Sequence, residues 1–413
     1  MKTRYLTDGK ASVLLIIALV FSYGFICMTK NCFSSAMVFI VNEGLLTKFQ
    51  TGNITAAFYV VYGILQIAGG ILVDKWHPER FITLGMAGAA VANLLVFINQ
   101  NYVFMMVVWC FNAAVQFAVW PATFKLITTM LKAEHRDKAL VIITFANPLG
   151  VVASYLVAAI VPRWQVNFLV SSVGLLLISI AWELVLRSIK RQLTEEEIDL
   201  TVKVKAEKKG SFILLFLTSG TAIFVVIAFI RTMFDLGIKS LTPTMIYECY
   251  EGISPSFATV LNTVVLLAGA LGPIIASFVY PRFVKNEAVM VALVFSVSVP
   301  ICLVTLMIGE VDYWLLVAAL ALLVLFMSAG SLFTTSFVSK KWEKWDKGAT
   351  VVGIINCASS LGIVAANSLL TGLADSVGWG GTVRVWCVMM GITWCLTLIT
   401  VPLWTKFIRK AYN

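Results

Sequence analysis

Twelve runs of apolar residues, each long enough to carry a helix across about 30 Å of hydrocarbon, occupy most of this chain and leave a membrane-spanning helical bundle as the architecture it can build. They lie at 11–41, 53–73, 81–98, 102–124, 139–161 and 166–186, then at 212–246, 257–280, 288–308, 314–338, 349–373 and 385–403. Only 13% of the 413 residues are charged and 60% are hydrophobic, whereas a soluble domain carries about 25% charge. A soluble enzyme, a disordered regulator and a disulfide scaffold are excluded, because so little charge cannot cover a water-facing surface. The expected class is an all-α membrane protein of twelve transmembrane helices in two pseudo-symmetric six-helix bundles.

The net charge of +10 raises the question of nucleic acid, and its distribution answers it. With twelve spans both termini share one side. Of the 31 Lys and Arg residues, 25 fall in the loops and ends of that side, while the other side holds Lys48, Arg163, Lys239 and Arg384. That asymmetry predicts a multi-pass protein of the cell (inner) membrane with both termini cytoplasmic, and no nucleic-acid partner. The first run is too long for a signal-peptide core and lacks a small-residue cleavage site, so it is expected to be a retained helix. Seven of the eight cysteines lie in spans and Cys249 in an outer loop, so neither a disulfide framework nor a metal site is expected. No cofactor and no enzymatic activity are expected either.

The longest polar stretch, 187–211, divides the spans six and six. The predicted organisation is an N-terminal bundle over 1–186, a cytoplasmic linker over 187–211 and a C-terminal bundle over 212–413. Within the linker, Thr194 followed by Glu195, Glu196 and Glu197 reads as the start of a short surface helix. The halves carry a weak internal repeat: Ala146-Asn147-Pro148-Leu149-Gly150-Val151-Val152-Ala153 in span five matches Ala358-Ser359-Ser360-Leu361-Gly362-Ile363-Val364-Ala365 in span eleven. Each copy follows a basic loop, as a parallel repeat about an axis along the membrane normal requires.

After span two the chain reads Gly70-Ile71-Leu72-Val73-Asp74-Lys75-Trp76-His77-Pro78-Glu79-Arg80. Glycine lets two helices approach, and Asp74 can cap a neighbouring helix N-terminus or pair with a basic residue. This stretch resembles the G-x-L-x-D-[RK] signature of the major facilitator superfamily, with Gly70, Asp74, Lys75 and Arg80 as gating candidates. The matching loop after span eight, Tyr280-Pro281-Arg282, lacks the acid. Within that superfamily the chain resembles the organophosphate:phosphate antiporters. Lys30-Asn31-Cys32-Phe33-Ser34-Ser35-Ala36-Met37 is similar to their R-x-N-F-x-x-A-M, Trp120-Pro121 to their Trp-Pro, and Gly372 to Trp379 to their G-x-x-x-D-x-x-G-W. The resemblance implies that Lys30 stands where the family's substrate-binding arginine would be. It also exposes departures: Asp235 replaces the second substrate arginine, with Arg231 one turn earlier, while Asn147 replaces a histidine and Gln66 a lysine.

Lys30 and Arg231 are the two cations inside apolar runs. A cation near the bilayer centre costs at least about 2.5–3.5 kcal/mol, so both are expected to face a central aqueous cavity. Arg231 and Asp235, at i and i+4, share a helix face; Asp235 either neutralises Arg231, contacts a substrate ammonium group, or couples a proton. Further cavity candidates are Tyr59, Tyr62 and Gln66 on one face of span two, Trp120, Asn147, Asn262, Asn356 and Ser359. The expected activity is secondary transport of a small anionic or zwitterionic organic solute by alternating access. An organophosphate/phosphate antiporter proper and a transporter-like solute sensor are the alternatives. The expected partners are that solute, a coupling ion or counter-substrate, and the lipid bilayer, with the protein working as a monomer.

Overall fold

A computed structural model describes residues 3–6, 9–160, 163–196 and 212–412. Among them, twelve helices are long and apolar enough to cross a membrane. The first six are Gly9–Val41, Gln50–Lys75, Pro78–Ile98, Tyr102–Met130, Ala133–Ala158 and Trp164–Lys190. The second six are Thr221–Cys249, Val260–Tyr280, Glu287–Met307, Tyr313–Trp345, Gly348–Ala365 and Ser376–Lys410. The chain is thus an all-α, multi-pass membrane protein with the predicted number of spans. In hydrocarbon the backbone must satisfy its own hydrogen bonds, which is why the apolar runs become helices.

Three boundaries differ from the sequence reading. The seventh run begins with a separate short helix, Phe212–Thr218, that ends at Gly220 with φ 83° before the span proper. Lys239, counted among the outer-side charges, lies inside the helix Thr221–Cys249, of which Cys249 is the last residue. The surface helix expected from Thr194 onward is not formed over 193–196. Leu193–Glu196 is instead a strand paired antiparallel with Thr3–Leu6, Thr3 opposite Glu196, and residues 197–211 lie outside the described ones. Alternation of Leu193, Thr194 and the acids satisfies a strand as well as a cap, and a second extended segment decides it.

Met1–Ala206 with Ser339–Cys357 form one compact unit, and Glu207–Val338 with Ala358–Asn413 the other. In the first, Phe33, Phe58, Trp109, Trp164 and Phe168 build a fully buried aromatic centre. In the second, Phe224 packs edge-on to Trp404 and Phe234 to Trp386. Lipid tails are as apolar as these rings, so helix association depends on packing and close backbone approach. The internal repeat supplies that approach in both units. A Cβ on Gly150 would collide with the Gly24 carbonyl and the Met28 amide of span one, and a Cβ on Gly362 with the Phe229 carbonyl and Met233 amide of span seven. Spans one and seven are also clasped alike near their C-terminal ends, by tryptophans of spans six and twelve. Trp164 donates its indole N–H to Glu43 at 2.8 Å in the first unit, and Trp379 donates to Glu248 at 2.7 Å in the second.

Candidate functional site

Span one is interrupted at Asn31, between helices Gly9–Lys30 and Cys32–Asn42, and Asn31 turns its amide back onto the Cys27 carbonyl at 2.7 Å. Helix breaks inside a membrane mark places where backbone and side chains meet something other than lipid. Lys30 sits at this break. Its ammonium lies 5.6 Å from the centre of the Tyr62 ring and 6.0 Å from that of Tyr23, a cation–π pair of contacts. Tyr23 packs on Trp120 with ring centres 4.8 Å apart, and Tyr62 stacks on Phe58, against which Tyr59 stands edge-on. Trp120 follows a second break, between Tyr102–Gln116 and Val119–Met130. Its indole nitrogen and the Gln66 carbonyl oxygen are buried without a hydrogen-bond partner. The first unit therefore gathers Lys30, Tyr59, Tyr62, Gln66 and Trp120 from three spans, plus Tyr23, which no motif or polar pattern marks in advance. Asn147 is exposed at the start of Ala146–Ile160, and Asn356 is half-buried on Gly348–Ala365.

The second unit disposes its charges differently from the sequence expectation. Arg231 is only 5% exposed and does not meet open water. It is enclosed by Ile230, Phe234, Phe295, Met327, Met390 and Thr393 of its own unit. Its guanidinium donates to the Met327 carbonyl at 3.3 Å and to the Thr232 hydroxyl at 2.9 Å, leaving Nε unpartnered. A carbonyl and a hydroxyl thus take the place expected for water. Asp235 acts on Arg231 through its charge but makes its direct ion pair elsewhere: its Oδ2 accepts from Lys239 Nζ at 2.6 Å. An acid four residues before a lysine is the favourable order along a helix, whereas an arginine four residues before an acid is the poorer one. Asn262 donates to the Lys239 carbonyl at 3.0 Å, and Ser359 carries a buried hydroxyl without a partner.

The motif after span two takes part in a compact ionic cluster within the first unit. Asp74, its side chain 2% exposed, accepts from the amides of Ala349 and Thr350 at 3.2 and 2.7 Å and from the Thr350 hydroxyl at 2.6 Å. It thereby caps the helix Gly348–Ala365, with its charge at the positive end of the helix dipole. The cation of the cluster is Lys125, not Lys75 or Arg80, both of which are exposed. Lys125 Nζ donates to Asp346 at 2.6 Å and to Asp74 and Glu343 at 3.1 Å each, and Thr128 donates to the other Glu343 oxygen at 3.1 Å. A second ion pair, Lys340 with Asp137, ties the same segment down. At Gly70 a Cβ would strike the Ala349 carbonyl, so the glycine of the motif admits the capped helix end. Among the described residues no group of three or more His, Cys, Asp and Glu could hold a metal ion.

These features define a membrane-transporter architecture. Residues 19–249 match the family model of the Major Facilitator Superfamily, and the chain belongs to that superfamily. It is 25% identical over 169 residues to the membrane sensor protein UhpC of Salmonella typhimurium, a stretch covering 40% of this chain and 38% of the sensor. It is 21% identical over 393 residues to the glycerol-3-phosphate transporter of Bacillus subtilis, covering 87% of this chain and 85% of the transporter. A protein of Escherichia coli named as a probable L-galactonate transporter is 23% identical over 199 residues, covering 48% of this chain and 42% of that protein. Among solved structures, the transporter FucP shares the fold with a TM-score of 0.71 at 17% identity, over 94% of this chain and 99% of FucP.

Proposed function

We propose that this protein is a secondary transporter, of the organophosphate:phosphate antiporter branch, that moves a small singly charged organic anion or zwitterion by alternating access. The observation that carries the reading is Lys30, a cation at a helix break deep in an apolar span, framed by Tyr23, Tyr62 and Trp120. Lysine and an unpartnered indole N–H are both donors, and Gln66 adds an unpartnered acceptor, a set suited to an anionic group bearing hydroxyls. In the second unit, Arg231, Asp235 and Lys239 carry one net positive charge, and Arg231 is already committed to Met327. Because Arg231 is enclosed and Lys239 is paired with Asp235, neither offers an uncompensated charge, and the second charge of a phosphate dianion beside Lys30 would lack a partner, whose desolvation costs several kcal/mol. The glycerol-3-phosphate transporter among the relatives supports the branch; the probable L-galactonate transporter supports a sugar acid as the solute class.

A solute sensor is the second reading, favoured by the match to UhpC. Both are tested by reconstituting the protein in proteoliposomes and measuring uptake and exchange of labelled galactonate, glycerol 3-phosphate and inorganic phosphate, beside thermal shifts of the purified protein with each. Rapid galactonate flux is the expected result. Rapid phosphate exchange without response to the monoanion would overturn the solute assignment, and ligand-induced stabilisation without flux of any of the three would favour the sensor.

A further inference from the structure

Arg231, Asp235 and Lys239 stand at i, i+4 and i+8 on the helix Thr221–Cys249, a carboxylate between two cations on one face. The carboxylate is half used. Asp235 Oδ2 is held by Lys239 at 2.6 Å, while Oδ1 is buried and has no partner; on the other side, Arg231 Nε is also buried and has none. The Asp235 and Lys239 side chains are 15% and 24% exposed, so the pair is accessible where Arg231 is not. The surroundings of Lys239 are polar on one side. Asn262 fixes its backbone and keeps a buried, unpartnered Oδ1. The lysine stem passes Gly269, with Cε 3.5 Å and the Ser328 hydroxyl 3.3 Å from where a Gly269 Cβ would stand.

We propose that Lys239 is a solute-binding cation, that it receives the carboxylate of the transported anion, and that Asp235 is the resident carboxylate which occupies its place when the site is empty. The inference rests on the reading above that the solute is a singly charged organic anion or zwitterion. When the solute carboxylate takes Lys239, Asp235 is released toward Arg231 Nε, four residues back on the same face. The row of Arg231, Asp235 and Lys239 then holds two cations and two carboxylates and is neutral. Asn262 Oδ1 and the Ser328 hydroxyl are left to hydroxyl or ammonium groups of the same solute. The acid that replaces an arginine of the resembled family thereby competes with the solute carboxylate for Lys239.

The assignment is tested by chemical rescue in the purified full chain. Asp235→Ala leaves Lys239 without its counter-ion, and formate or acetate should raise the thermal-unfolding midpoint of this variant more than chloride at equal ionic strength, and more than they raise the wild type. The response should vanish in Asp235→Ala/Lys239→Gln. Should Asp235→Ala fail to fold, Asp235→Asn keeps the shape and removes the charge, and the same carboxylate-specific, Lys239-dependent shift is expected. A formate response no larger than that of chloride, or one that persists without Lys239, overturns the proposal. In wild-type background, Lys239→Gln should weaken galactonate binding about tenfold or more, the loss of one charge-assisted contact. Because rescue needs no flux, failed uptake with intact rescue would remove the transport reading and leave Lys239 an anion site, while uptake without rescue would do the reverse.

Discussion

Lys30 and Arg231 look alike in the sequence, each a cation inside an apolar run, yet their surroundings separate them. Lys30 is half-buried beside two tyrosine rings, whereas Arg231 is enclosed and anchored on a backbone carbonyl. Lys30→Ala is expected to abolish uptake while the protein still reaches the membrane and elutes as a folded species; unchanged uptake would remove Lys30 from the site. Arg231→Met fills an apolar enclosure with an unbranched apolar chain. The guanidinium is buried with its Nε unpartnered, so removing it relieves a desolvation cost, and the unfolding midpoint should equal or exceed that of the wild type, with Arg231→Asp well below both. That cations lie inside spans is legible from apolar context alone. Which way they point is not, because Met327 and Thr393 come from spans ten and twelve. Lys239 reads as a topogenic charge when charges are counted by side, and only its spacing from Asp235 could have marked it. Lys125 carries still less local signal, since Glu343 and Asp346 are 218 and 221 positions away.

At the scale of the element, the motif after span two was readable to the residue for Asp74 and Gly70, because a glycine and a helix-capping acid at fixed spacing have few other uses. The basic residue that pairs with Asp74 is neither of the motif's own cations, Lys75 and Arg80. Both lie on the exposed side of the turn, while Lys125 reaches the same acid from span four with its side chain 9% exposed. Asp74→Asn keeps one acceptor and loses the charge, and Lys125→Met strands three carboxylates. Removing a partner from a buried polar group costs about 1–3 kcal/mol, so both variants should speed amide hydrogen exchange at Ala349 and Thr350 by roughly tenfold or more. Exchange unchanged from the wild type would show that the cap contributes nothing to holding this helix end. The strand Leu193–Glu196 marks the opposite limit. Its acids fit a helix start locally, and its partner Thr3–Leu6 is nearly 190 positions distant, beyond the reach of any local pattern.

For the molecule as a whole, the number of spans follows directly from hydropathy, and the excess of Lys and Arg on one side predicts cytoplasmic termini. A fluorescent-protein fusion after residue 413 should be bright and an alkaline phosphatase fusion there inactive; the reverse would invert the topology. The repeat in spans five and eleven is legible as five identities and one Val/Ile exchange over eight positions, but its purpose emerges only with Gly150 pressed against the Gly24 carbonyl and Met28 amide, and Gly362 against the Phe229 carbonyl, in the facing helices that carry Lys30 and Arg231. Contacts of this kind have no rotamers to adjust, so tolerance at these two sites is decided at the level of folding and not of solute handling. In a library of all single substitutions, sorted once for protein abundance and once for uptake, both glycines should be depleted in the first sort, even toward alanine. Lys30 should pass the first and fail only the second. The two halves of the chain would then show the same pair of intolerant positions wherever their ligand-facing residues have diverged, making the folding constraint the most durable trace of their common plan.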